Sequence, residues 1–321
     1  MSFSSIIGHE RPLSILKRAI ANNALAHAYL FSGEAGIGKV MAAYALAAAL
    51  NCPSAGSDGG CGVCPSCRKI AARSHPDVHL LVPDGTEIKI DQVREAQADM
   101  SLRPFEGQRK VLIVDGADAL NDASSNAFLK TLEEPPGESL IILVTSMPRS
   151  LLITIRSRCQ ELQFQPLPRT TIAEVLRERR SLDEADAWFL AGLSRGSLGR
   201  ALAMDAAEER TARENVAVLL ASLGSMRNDE VLGLADGVAK DRDGFERLID
   251  MGVELLRDRL VYLETGDERL LTFPGSIAAE LLSRPRLLAD FDLFTASRSL
   301  LERRVSAQLV AENLFLKLRG T

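Results

Sequence analysis

Short apolar runs alternate with helical spacing through the first half of the chain. Ala28-Tyr29-Leu30-Phe31, His79-Leu80-Leu81-Val82, Lys110-Val111-Leu112-Ile113-Val114 and Ser139-Leu140-Ile141-Ile142-Leu143-Val144 are each followed by turn chemistry and then by helical periodicity. Nearly continuous apolar strands separated by helices predict an α/β fold with a mostly parallel sheet covered on both faces. The strand signal stops at Pro166 and Pro168, each of which lacks a backbone donor and turns its predecessor away from helix.

A short helical stretch then runs to about residue 205, closing with Arg195-Gly196-Ser197-Leu198-Gly199. In the helical remainder, Phe245, Leu248, Ile249, Gly252, Leu256, Leu260 and Leu263 recur every three or four residues. That stripe fits internal packing first and an oligomer interface second. The expected organisation is an α/β domain over 1–165, a small helical domain over 166–205 and a helical domain over 206–321.

The chain has 321 residues, 46% hydrophobic and 25% charged, the balance of a globular protein with two or three cores. Its net charge of -5 provides no global attraction to a phosphate backbone, so any nucleic-acid contact has to come from a local patch or a partner. The opening MSFSSIIGHERPLSILKR interrupts any apolar leader with polar and charged residues, and no later run suits a membrane span. A cytoplasmic protein with no membrane contact is expected, and in that reducing setting clustered cysteines point to metal rather than disulfides.

Gly33-Glu34-Ala35-Gly36-Ile37-Gly38-Lys39-Val40 lies between a strand and a helix and matches the phosphate-loop pattern G-x-x-x-x-G-K up to its last position. Gly33, Gly36 and Gly38 allow backbone N–H groups to turn toward phosphate oxygens, the helix start adds its positive end, and Lys39 adds a charge. Val40 replaces the Ser or Thr whose hydroxyl ligates Mg²⁺. Asp115 ends the strand Val111–Val114 where a carboxylate usually steers that metal, but Gly116 follows in place of the glutamate that orients the attacking water. These losses argue against Mg²⁺ and hydrolysis and leave ATP or ADP occupancy open. Asp118 reads as a carboxylate favoured by the start of the next helix.

Cys52, Cys61, Cys64 and Cys67 are spaced C-x8-C-x2-C-x2-C on a Gly-rich loop. Four thiolates this close complete a tetrahedral shell, which makes structural Zn²⁺ the expected cofactor. His75 and His79 lie nearby and are surplus to the set.

Taken with Asn126-Ala127-Phe128-Leu129-Lys130-Thr131-Leu132-Glu133-Glu134-Pro135-Pro136 and Thr154-Ile155-Arg156-Ser157-Arg158-Cys159, these motifs resemble the bacterial clamp-loader AAA+ subunits of DNA polymerase III. The resemblance covers residues 1 to about 205 and continues more weakly beyond. It implies an AAA+ P-loop NTPase-type domain with a zinc module at 52–67, a helical lid and an all-α collar. The implied assembly is a five-subunit ring with motor (gamma/tau-type) and delta subunits, acting on a sliding clamp and primed DNA. Arg158 would be the arginine finger reaching a neighbour's ATP; from local sequence alone it reads equally as a helix-end arginine in a surface salt bridge. Thr145 or Ser146 falls at the family's sensor-1 position, and Arg200 is displaced by one residue from the Gly-Ser-x-Arg sensor, a turn of about 100°. These departures imply a non-hydrolysing member. An active AAA+ ATPase is the rival reading. A nucleic-acid-binding zinc module is a second rival, disfavoured because no aromatics accompany Arg68, Lys69 and Arg73.

Overall fold

The computed structural model describes residues 2–137, 139–273, 283–303 and 305–320. The chain folds as two compact units, Met1–Pro168 with Gly196–Arg200, and Arg169–Arg195 with Ala201–Thr321.

In the first unit five strands, β1 (Ala28–Ser32), β2 (Val78–Leu81), β3 (Val111–Asp115), β4 (Leu140–Thr145) and β5 (Gln160–Gln163), pair in parallel in the order β2-β3-β4-β1-β5. Alternation along the strands divides the core in two. Tyr29, Phe31, Ile113 and Ile142 face one way, onto Leu16 of α1 (Glu10–Ala21) and Leu46 of α2 (Lys39–Asn51). On the other face, Leu30, Leu112, Val114, Ile141 and Leu143 meet Val93 of α4 (Ile90–Ser101), Phe128 and Leu132 of α5 (Asp122–Glu133), and Ile155 of α6 (Ile153–Arg156). Between α2 and β2 lies the short α3 (Pro65–Ala71).

Sequence reading expects four strands; the fifth, β5, is an edge strand in which only Leu162 is buried. Gln160, Glu161 and Gln163 face water, so there is no apolar run to signal it. Helix α2, in contrast, is buried on nearly every side. Its alanines favour helix and leave room for close approach of sheet and neighbouring helices.

The second unit is helical: α7 (Arg169–Arg180), α8 (Glu184–Leu193), α9 (Leu198–Ala203, whose first three residues belong to the first unit), α10 (Ala206–Leu223), α11 (Asn228–Ala239), α12 (Arg242–Thr265), α13 (Arg284–Glu302) and α14 (Ala307–Gly320). The stripe Phe245, Ile249 and Leu256 of α12 packs internally against Phe294 of α13 and Leu314 and Phe315 of α14. No described helix is long and apolar enough to cross a membrane.

Candidate functional site

β1 ends at Ser32 and α2 starts at Lys39, so Gly33–Gly38 turn at the C-terminal edge of the sheet. Gly33, Gly36 and Gly38 take φ of 143°, 74° and 107°, a region that side chains with a Cβ rarely enter. Gly36 is also closely approached: its carbonyl accepts the Gly199 N–H at 3.0 Å, and a Cβ on it would lie 2.5 Å from Ser197 Oγ. The Gly196–Arg200 segment is therefore seated on the loop, with the Arg200 N–H on Ser197 Oγ at 3.2 Å.

Lys39 is buried, and its ammonium donates to the carbonyls of Gly33 (2.7 Å) and Glu34 (2.6 Å), so the loop satisfies its own lysine. Burial pushes the Lys39 pKa below its ordinary value against the pull of Asp115, Glu34 and Asp118. The carboxyl of Asp115, at the end of β3, is pushed upward by burial while Lys39 and Arg73 oppose the shift. Gly38, Lys39, Asp115, Asp118 and Thr145 line a cavity of about 510 Å³, with Val40 also on its wall. Gly116 has φ of 78°, and a Cβ there would meet Pro83 Cγ at 3.2 Å. The position after Asp115 is thus shaped for glycine in its backbone as well as its side chain.

Two residues of this cavity region are not legible as such in the sequence. Asp118, expected as a helix-start carboxylate, lies in the 3-10 turn Ala117–Ala119, ahead of α5, and accepts the Thr145 hydroxyl at 2.5 Å. Thr145 in turn accepts the Met147 N–H at 3.0 Å, so it both caps β4 and fixes an acidic group at the cavity. His9 is buried, and its Nε2–H donates to the Ile37 carbonyl of the loop at 2.6 Å. Its only sequence hint is a histidine next to Gly8 at the start of a helix.

The other end of α2 leads into the cysteines. Cys52 caps the helix, Cys64 is the N-cap of α3, and the four sulfurs of Cys52, Cys61, Cys64 and Cys67 lie within 4.8 Å of one another. The Cys52–Cys64 separation is 3.8 Å. A tetrahedron with Zn–S of about 2.3 Å has an edge of about 3.8 Å, so the spacing fits Zn²⁺. Backbone N–H groups of Cys61, Cys64 and Cys67 each point at the sulfur of Cys52, Cys61 and Cys64 respectively, all at 3.4 Å, an arrangement that favours thiolates. Hydrogen bonds from the Val63 and Cys64 backbone pull the exposed Cys61 thiol down to about 6, whereas burial pushes Cys67 up to about 12. A divalent cation among them would hold all four as thiolates. His75 is engaged elsewhere: Nε2 meets Ser66 Oγ at 3.1 Å and Nδ1 accepts the Asp77 N–H at 3.1 Å.

Arg158 belongs to neither group. It follows α6, and its guanidinium donates to the Thr154 carbonyl (2.9 Å) and to Glu133 Oε1 (2.7 Å). The structure thus brings Gly33, Gly36, Gly38, Lys39 and Asp115 into one region and the four cysteines into another, and pairs Arg158 with the end of α5.

Residues 8–168 match the family model described as DNA polymerase III, delta subunit. The chain is 40% identical over 169 residues to DNA polymerase III subunit delta' of Bacillus subtilis, covering 53% of this chain and 51% of that protein. It is 43% identical over 145 residues to the Pseudomonas aeruginosa protein of the same name, covering 44% of each. The chain spans about half the length of the curated relatives it matches. A crystal structure of a DNA polymerase III gamma subunit-related protein from Thermotoga maritima shares the fold, with a TM-score of 0.53 at 20% identity, covering 96% of this chain and 99% of that one.

Proposed function

We propose that this chain, which belongs to the DNA polymerase III delta-subunit family, is a delta-prime-type clamp-loader subunit that keeps an ATPase fold without ATPase turnover. The observation carrying this reading is the cavity beside Lys39. It has the glycine turns and the charge to receive a phosphate, but its wall presents Val40 and Gly116 where a metal ligand and a water-orienting carboxylate are needed. Asp115 and Asp118 remain on the cavity wall, but the position after Lys39 offers the metal no oxygen.

The proposed assembly is cytoplasmic, a five-subunit ring with gamma/tau-type motor subunits and delta that places a sliding clamp on primed DNA. The first 165 residues would form the AAA+ domain, 166–205 the lid and 206–321 the collar. Zn²⁺ held by Cys52, Cys61, Cys64 and Cys67 would fix the loop after α2, a structural role with no position left for water or substrate. Arg158 would act in trans: its permanent charge and planar fork suit the charge that develops on the γ-phosphate in a neighbour's site.

Two measurements test this reading. The isolated chain should show no ATP turnover above background, and motor-like rates abolished by Lys39→Ala would establish the rival, an active ATPase. In the reconstituted complex, Arg158→Ala should assemble normally yet lose DNA-stimulated hydrolysis, by about a thousandfold or more at the site it faces. A normal rate in that variant would remove the trans role.

A further inference from the structure

The Leu132-Glu133-Glu134-Pro135-Pro136 segment reads in the sequence only as a helix stop, and Glu133 has no part in the function proposed above. In the structure it is the last residue of α5, and its carboxylate takes one arm of the Arg158 guanidinium at 2.7 Å. The other arm is taken by the Thr154 carbonyl at 2.9 Å. One N–H of each arm is therefore engaged within the chain, although the side chains remain 35% (Arg158) and 49% (Glu133) exposed.

A carboxylate at a helix C-terminus lies at the unfavourable end of the helix dipole, so Glu133 is poorly explained as a helix stabiliser. A pair this exposed also contributes little to folding. Its main physical consequence is for the direction and availability of the guanidinium. A phosphate gripped by both arms would draw on the nitrogens that now hold Glu133 and Thr154, so it would compete with the Glu133 carboxylate for the direction and charge of the guanidinium.

We propose that Glu133 is a positioning residue that holds Arg158 in reserve, its carboxylate competing for the guanidinium fork with the γ-phosphate of a nucleoside triphosphate on the neighbouring subunit. This rests on the trans role of Arg158 proposed above. When the fork is held in cis, only the released fraction of the chain is competent to engage the neighbour's nucleotide, and apparent affinity falls by that fraction. The weakness of an exposed pair suits the purpose, since a triphosphate can displace it. Helix α5 is also capped at its start by Asn121, just past the turn that carries Asp118. One helix thus runs from the chain's own cavity to the held arginine.

The test uses the complete reconstituted complex. Glu133→Gln removes the charge and keeps the shape, and binding is measured for ADP and for ATPγS, a slowly hydrolysed triphosphate. The expected result is ATPγS affinity raised by about twofold to fivefold, the range an exposed ion pair can supply, with ADP affinity unchanged because ADP has no γ-phosphate. Adding Arg158→Ala to Glu133→Gln should erase the gain. Unchanged ATPγS affinity, or equal shifts for both nucleotides, overturns the proposal when Arg158→Ala alone still abolishes stimulated hydrolysis. If Arg158→Ala retains full stimulated hydrolysis, the trans role itself fails and this inference falls with it.

Discussion

The two ends of α2 stand in opposite chemical states. At its start, a turn of three glycines and the buried Lys39 form a phosphate-loop cavity in which the lysine rests on the loop's own carbonyls and the next residue is Val40. Thirteen residues after Lys39, Cys52 opens a set of four sulfurs whose spacing suits a tetrahedral cation. One end keeps the glycine turns and a lysine, with Val40 where a side-chain hydroxyl would sit; the other gathers four sulfurs on a loop tied to α1 through Lys17 and Asp58. A buried helix can thus carry a glycine-rich turn at one end and a cluster of sulfur donors at the other, and the donor atoms present distinguish the two.

The largest effect is expected at the sulfur end. Cys67 is 1% exposed and its sulfur is one of the clustered four, so Cys67→Ser should empty the site and loosen the loop. Structural zinc sites contribute folding energy outright, about 10 kcal/mol or more in small zinc-dependent domains. Here α2 and the sheet supply an independent core, so a smaller loss, on the order of 3 kcal/mol, is expected. Thermal unfolding with and without a chelator measures it, alongside zinc content by elemental analysis. A variant as stable as the parent and equally insensitive to chelation would place the cysteines outside any structural role.

A smaller effect separates a missing side chain from a missing backbone at the cavity end. If only the carboxylate were lacking, Gly116→Glu would move the cavity toward hydrolysis. With φ of 78° and Pro83 Cγ at 3.2 Å from any Cβ, the substitution should instead cost about 1–3 kcal/mol of stability. No ATP turnover should appear. Denaturant unfolding and a phosphate-release assay read both outcomes, and turnover in the variant would show that the cavity had kept its catalytic geometry.

What the sequence revealed about these regions follows from how far apart the interacting residues lie. Gly33 to Val40 and Cys52 to Cys67 are contiguous, so their spacing alone announces a loop and a cluster. The strands β1, β3 and β4 are buried on both faces and wrote themselves as apolar runs, whereas β5 pairs on one side and buries only Leu162. The pairs that refine the site join residues far apart along the chain: Thr145 with Asp118 across 27 positions, His9 with Ile37 across 28, and Arg158 with Glu133 across 25. Each residue taken singly had an ordinary explanation, as strand cap, helix start or helix end. Only the folded arrangement makes partners of them.

The smallest effect concerns pH and returns to the loop end of α2. His9 holds the Ile37 carbonyl with its ring tilted against Phe164 at 5.0 Å. Burial pushes its pKa below the ordinary value, with Ile37 and Glu10 opposing and Lys39 reinforcing the shift. The native ring therefore stays neutral at a pH where the unfolded chain has taken up a proton. Its contribution to stability is complete above the unfolded value of about 6.5 and is lost as pH falls toward the native value. Glutamine offers an N–H to the same carbonyl but does not titrate, so His9→Gln should flatten the decline of melting temperature below about pH 6.5. His75, shifted in the same direction by its own burial, leaves a residual slope. Because any zinc held by the cysteines would be released as their thiolates take up protons in acid, the melts are compared in excess zinc and again after chelation. A difference between parent and His9→Gln that persists in both conditions assigns that part of the acid sensitivity to the phosphate-loop end. Identical slopes would mean that His9 is protonated equally readily in the folded and unfolded chains, and that its hold on Ile37 does not depend on a neutral ring.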